Sequence, residues 1–433
     1  MKQLLRTVGG STRSPRIKDG IMKPLSTTIL LLLGLSGLFC HADTGVPLSV
    51  STPTRPQLSS AEQGSYTMAT FLDGWVPEDV CTPRRGDYIV GTKGAYATVQ
   101  AAVNAAIEAG GTARKYIEIQ PGTYTGLVVV PSGVPLTIYG ASDRREDECR
   151  DDGCRDSEHE DRDHRGDRCR DGVGRDSAGR VVLQLNAHDV MTGPELAAAV
   201  DDSEDFGPSA PATVSSYYND CTTRTILGTN CTATVISYAG SLQIKNLTIL
   251  NSYADDDPNA NGQNQAVAYL NNGGDQVILD HVRLISFQDT LWLNGSGKRT
   301  YLRNSFVSGD TDFIFGDMIG VFDRCDIHYV TTNKTSGSIT APSHLPTDYG
   351  FLFNGGSFTS DGGTTNTVYL GRQWPQNNNA STGQTIIRDV WLGDHIRTVA
   401  PWKQWDSTHP IDYGASGNWR LAEYRNYGPG AAP

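Results

Sequence analysis

Two short apolar runs each carry an acidic residue where an isolated charge would be costly. "SFQDTLWL" spans Ser286–Leu293 and holds Asp289, while "DTDFIFG" spans Asp310–Gly316 and holds Asp312. Both runs are rich in aromatic and β-branched residues and read as strand. A carboxylate among such neighbours has to be paired, hydrogen-bonded or protonated. Asp289 and Asp312 are 23 residues apart, and so are Gln265 of "NQAVAYL" and Gln288. If one local coil takes that many residues, these side chains fall on neighbouring rungs, about 4.8 Å from one rung to the next. Two adjoining carboxyl groups do not both ionise easily, so one keeps its proton near neutral pH. The pair then supplies one acid and one nucleophile or base, and side-chain amides can donate to a developing oxyanion. Those are the parts of an acyl transfer without serine. The later "YLGRQWP" adds Arg372, able to hold one aspartate in a bidentate contact, and Trp374, an apolar face for a sugar ring.

Each residue also has a plainer use. Asp289 could end a strand, and Asp312 could pair with Arg303 or Arg324. Gln265 and Gln288 could form an amide ladder, Phe315 could be core, and Trp374 could be packing. The shared register together with Arg372 favours the chemical reading over these. Other chemistries lack their signatures. There is no G-x-S-x-G and no HExxH. "GSGKR" (Gly295–Arg299) has Arg299 where a phosphate loop needs Ser or Thr. "YADDDPNANG" (Tyr253–Gly262) lacks the acidic residue that would close a calcium loop, Ala266 standing there instead, and reads as a polar turn.

The elements that must position these residues are mostly strands. "YATVQAAVNAAIEAG" (Tyr96–Gly110) is the one clear amphipathic helix, closed by Gly110. Beyond Val181 come loosely similar runs: "LQIKNLTILNS", "VILDHVRLIS", "TYLRNSFVSG", "GVFDRCDIHYV" and "TIIRDVWLGD". Each alternates apolar with polar residues around a short polar break. Such irregular repeats suit the stacked coils of a parallel β-solenoid; a β-sandwich is the competing architecture.

The chain has 433 residues, 47 of them Gly, and a net charge of −12 that argues against nucleic acid as partner. Residues 1–42 read as a secretory signal: a basic start, an apolar stretch from Ile29 to Phe39, and cleavage near Ala42. The apolar stretch is too short for a stable membrane span. Lipidation of Cys40 is the less favoured alternative. Residues 43–80, rich in Ser, Thr and Pro, read as linker and lead-in, and 81–433 as one solenoid domain. Within it, 143–180 is almost all charge of both signs and reads as a disordered insertion. Export permits disulfides, and Cys221 with Cys231 brackets a plausible stapled loop.

"QAVAYL", "FQDTLW", "TDFIFG" and "YLGRQW", in this order, resemble the signature segments of the pectin methylesterase family. "TVQAAVNAA", "PGTYTG" and "LAEYRNYGPGA" are similar to it as well, so the likeness runs from about Tyr88 to Ala431 apart from the charged insertion. The resemblance implies an all-β, right-handed parallel β-helix with a short N-terminal capping helix. It implies a secreted, monomeric esterase that removes methyl groups from methyl-esterified homogalacturonan, with no metal and no cofactor. Asp312 would be the nucleophile, and Asp289 the acid and then the base. Gln265 and Gln288 would form the oxyanion hole, and Arg372 would orient Asp312. Trp374 would line the cleft, with Phe315 and Trp292 as weaker sugar-subsite candidates. Gln373 departs from the family's usual proline after the arginine. A calcium-dependent pectate lyase and a non-catalytic polysaccharide-binding solenoid are the competing functions; the first lacks its acidic cluster, and the second leaves the two aspartates without work.

Overall fold

The polar break inside each repeat is a corner where one residue turns its backbone left-handed. In a computed structural model, Asn246, His281, Asn304, Arg324, Asp389 and Arg425 all take positive φ, between 48° and 57°. Asn246, His281, Asn304 and Asp389 sit between one strand and the next, Arg324 marks the bend inside a long strand and Arg425 follows the last one; Asn, Asp and His accept this conformation more readily than other side chains. The structure describes residues 49–141, 180–200, 203–253, 264–331, 336–376 and 382–433. The residues read as a signal, almost all of the charged insertion, and the polar turn read at Tyr253–Gly262 apart from Tyr253 itself lie outside the described residues.

Three parallel ladders build the coils of a right-handed parallel β-helix. The first runs through Lys115–Ile119, Leu136–Gly140, Gln243–Lys245, Val277–Asp280, Arg299–Arg303, Ile319–Tyr329, Phe351–Ser360, Thr385–Arg388 and Leu421–Tyr424. After the left-handed corner comes the second, which includes Val181–Leu185, Thr248–Asn251, Arg283–Ile285 and Phe306–Gly309. The long strands Ile319–Tyr329 and Phe351–Ser360 bend across both faces. The third ladder is Val128–Val130, Val235–Ser237, Tyr269–Asn272, Leu291–Asn294, Ile314–Gly316, Ser338–Pro342 and Tyr369–Gly371. The pairing between coils is parallel throughout the named ladders, which rules out a sandwich of antiparallel sheets.

Register stacks like on like inside the coil. Ile244, Leu279, Leu302, Phe322, Phe353 and Ile387 form one column of paired, buried side chains. Phe322 and Phe353 lie face to face at 4.4 Å between ring centroids. The alternate positions of the same strands, Ile278, Tyr301, Val321, Leu352, Ile386 and Ala422, point out of the coil and are buried too. Their cover is the segment read as linker. Over its described part, residues 49–80 pack against the solenoid through Leu58, Tyr66, Phe71, Leu72 and Val80. Removing this apolar surface from water outweighs the low hydrophobicity of the segment as a whole.

The expected helix is present as Val99–Glu108, begun by Thr98, whose side chain accepts from the Ala101 N–H. It buries Val99, Ala102, Val103 and Ala106 over the first coils, and the Gln100 amide bonds both main-chain groups of Val129. Two further helices, Gly193–Ala199 and Ala212–Thr222, lie before the strand Val235–Ser237. The second presents Val214, Tyr217 and Cys221 to the core, and Cys221 is disulfide-bonded to Cys231.

Candidate active site

Asp289 and Asp312 occupy the same corner of successive coils, each just before a strand of the third ladder. Both backbones are left-handed, with φ of 67° and 49°, a conformation that disfavours residues with a Cβ by about 1–2 kcal/mol and that Asp tolerates better than most. Gln265 bridges Gln288, and Gln288 bridges Thr311, in parallel register, so 23 residues make one coil here. The rungs are tied by main-chain bonds: Ala266 N–H donates to Gln288 O at 3.1 Å and Asp289 N–H to Thr311 O at 3.1 Å. Asp312 N–H then donates to Ser338 O at 2.6 Å. The two glutamines are half-buried, and the two aspartates are 8% and 5% exposed.

Arg372 reaches Asp312 from the far side of this stack. Its strand, Tyr369–Gly371, pairs with Ser338–Pro342, placing Gly371 opposite Thr340. A Cβ at Gly371 would collide with the Thr340 hydroxyl, so this close approach requires glycine. Arg372 Nε donates to both Asp312 carboxylate oxygens, at 2.9 and 3.1 Å, and Nη2 to Oδ2 at 2.5 Å. Burial alone would lower the guanidinium, but the hydrogen bonds and charge of Asp312 outweigh it and push Arg372 up. Arg303 instead pairs with Asp79 and Asp280, and Arg324 with Asp323, so the plainer ion pairs for Asp312 do not form.

Asp289 has the opposite surroundings. Among the described residues no cation forms an ion pair with it. Burial holds its carboxyl well above the ordinary carboxylate range, and the charge of Asp312 adds to this, as do those of Asp189 and Asp310, while Arg372 opposes it. One carboxyl group is therefore gripped by a guanidinium, and its neighbour, one coil back, is pushed toward its protonated form.

An aromatic ring stands three residues beyond each aspartate, Trp292 after Asp289 and Phe315 after Asp312. Trp292 and Phe315 are paired across successive rungs and stack at 5.0 Å, and Trp374 meets the Phe315 ring edge-on at 5.9 Å. Phe315 is only 4% exposed and packs between the two half-buried tryptophans. Gln373 points away from the carboxyl pair; its amide donates to Gly383 O and Asp412 O and accepts from Asp412 N–H.

Sequence reasoning passed over two neighbours of this site. Asp189, in the turn after the strand Val181–Leu185, donates its N–H to Gln265 O at 3.1 Å, and its carboxyl accepts from the Gln265 N–H. Trp405 lies against Arg372, with the guanidinium carbon 4.2 Å from the ring centroid. Nothing in the local sequence of either residue signals its place; Asp189 is brought in by the coil and Trp405 by a loop tied to the residues beside Arg372.

A family model described as Pectinesterase matches residues 210–433. A pectinesterase of Sitophilus oryzae is 32% identical over 431 residues, covering 93% of this chain and all of that one. Pectinesterase B of Dickeya dadantii is 31% identical over 416 residues, covering 86% of this chain and 87% of its own. The solved structure of a rice weevil pectin methyl esterase superposes with a TM-score of 0.71 at 30% identity, covering 88% of this chain and 99% of that one. Fold and relatives together define a carbohydrate esterase on a parallel β-helix. The chain belongs to the pectinesterase family, and it is a pectin methylesterase, a carboxylic ester hydrolase.

Proposed function

We propose that the enzyme hydrolyses methyl esters of polygalacturonate through Asp312 as nucleophile and Asp289 as acid and base. A carboxylate oxygen of Asp312 attacks the ester carbonyl carbon, and the amides of Gln265 and Gln288 donate to the oxyanion that forms. Collapse breaks the bond to the methoxy oxygen, which takes the Asp289 proton and leaves as methanol. The galacturonyl group is then held on Asp312 as an anhydride. Asp289, now ionised, takes a proton from water as the hydroxyl adds to the galacturonyl carbon. A second collapse returns the Asp312 carboxylate and releases the acid product, with the proton back on Asp289. Arg372 keeps Asp312 ionised and aimed for the attack, and receives the carboxylate again at the second collapse.

The observation that carries this assignment is the asymmetry of the pair: a guanidinium grips Asp312 at three N–O contacts, and Asp289 has no such partner among the described residues. Trp292 and Trp374 offer faces to the sugar rings, with Phe315 supporting both. The site works on methyl-esterified homogalacturonan outside the cell, reached by signal cleavage near Ala42 rather than by an anchor at Cys40. The Cys221–Cys231 disulfide suits that compartment. Among the described residues no helix is long and apolar enough to cross a membrane.

The test is methanol release from highly methylated pectin by the purified protein, with Asp312→Ala as the control that abolishes it. No methanol between acid and mildly alkaline pH, or full release by Asp312→Ala, rejects the assignment.

A further inference from the structure

Arg372 makes its bonds to Asp312 along one edge of the guanidinium, which leaves the flat faces of the group to be covered or solvated. Its side chain is 21% exposed. One face carries the Trp405 ring, 4.2 Å from the guanidinium carbon. Trp405 is half-buried and belongs to the loop between Trp402 and Tyr413.

That loop is stapled at both ends to the residues that flank Arg372 in the chain. At its start, Gly371 and Trp402 form a parallel bridge, and Lys403 N–H donates to Gly371 O at 2.9 Å. At its end, the Gln373 amide makes a two-way contact with the Asp412 main chain: Nε2 donates to Asp412 O at 2.8 Å, and Oε1 accepts from Asp412 N–H at 2.8 Å. Gln373 is 2% exposed, so this contact is made out of water. Between the staples, Asp406 closes a turn by accepting from Thr408 N–H at 2.8 Å and His409 N–H at 3.0 Å. With residues 371 and 373 anchoring its two ends, the loop is held over residue 372. A proline at position 373 would have no side-chain amide with which to form the second staple.

We infer that Trp405 is a positioning residue for ester hydrolysis, holding the Arg372 fork in plane with the Asp312 carboxylate, and that Gln373 sets the loop that presents it. A cation over an aromatic face is attracted to it, the more so where water is excluded. The planar guanidinium also gains from stacking in a way that an ammonium does not. Without the ring, Arg372 keeps its charge but is free to swing toward solvent, and Asp312 loses its aim more than its affinity for substrate.

The inference rests on Arg372 serving Asp312 as proposed above, and its test separates the two. Trp405→Ala, Trp405→Phe and Arg372→Ala are compared with wild type by methanol release from highly methylated pectin, with a thermal melt of each. Trp405→Ala is expected to lower kcat by about 2- to 30-fold with KM within about twofold and little change in melting temperature. Trp405→Phe, which retains an aromatic face, recovers most of that loss. A raised KM with kcat intact would make Trp405 a sugar platform and overturn the inference, as would a Trp405→Phe no better than alanine. If Arg372→Ala itself leaves kcat unchanged, the proposed mechanism falls instead.

Discussion

Replacing Asp289 with asparagine separates the chemical role of this carboxyl from the strain of burying it. Asn has nearly the shape of a protonated Asp and tolerates the left-handed backbone at this corner. In the native chain, burial and three neighbouring acids hold the Asp289 carboxyl well above the ordinary range. The folded state therefore binds its proton more tightly than the unfolded chain does, and stability falls as pH rises from the unfolded value, near 3.9, through the folded one. Each pH unit in that interval costs about 1.4 kcal/mol. Asp289→Asn has no proton to lose there. Its stability should match wild type near pH 4 and then exceed it by a gap that widens with pH, levelling off once Asp289 ionises. The rate moves the other way: loss of the general acid lowers kcat by about 10²- to 10⁴-fold. Urea midpoints for both proteins from pH 4 to 8, beside methanol release, read the two effects. A gap that does not change with pH, or a variant within tenfold of wild-type kcat, refutes the protonated-acid reading.

Two further outcomes follow from the same arrangement. Arg372→Lys keeps the charge but cannot form the planar fork, so kcat should fall by about 10- to 100-fold in the methanol assay; unchanged kcat would mean that charge alone suffices. Asp189→Asn should move the alkaline limb of the kcat/KM profile to lower pH, because the Asp189 charge helps to push the Asp289 carboxyl up. A limb that stays in place would limit Asp189 to its bonds with the Gln265 main chain.

The pairing of Gln265 with Gln288, and the alignment of Asp289 with Asp312, could be read from the sequence because a coil of fixed length turns residue spacing into neighbourhood. Arg372 could be found only by its motif: it lies 60 residues beyond Asp312, with longer coils between. The left-handed corners were visible only as polar breaks, since polarity at His281 or Arg324 does not reveal backbone sign. Cover on the outer face is also written in the strands. "VILD", "TYLR" and "TIIR" are apolar on both sides of the strand, the pattern of a sheet buried on both faces. The covering segment hid behind its Ser, Thr and Pro content, although Leu58, Phe71 and Leu72 supply the contacts. The helix Gly193–Ala199 was also announced, by the Thr192 and Glu195 capping box. Trp405 had no local signal, because its place is set by a loop anchored through Gln373.

The inward column of paired residues that runs through Ile244 ends at Glu423, opposite Ile387. Its carboxylate is wholly buried and is met by Arg55 at 2.7 and 2.8 Å. On either side of Gln57 the main chain adds one more rung: Leu58 N–H donates to Glu423 O, and Glu423 N–H donates to Pro56 O. A segment from early in the chain is thus the lid over the coil formed by Leu421–Tyr424. It shields a sheet edge that would otherwise be open to a second molecule. It also means that the edge is closed only by residues some 365 positions apart in the chain, Arg55 to Leu58 on one side and Glu423 on the other, so a chain lacking either stretch leaves it open.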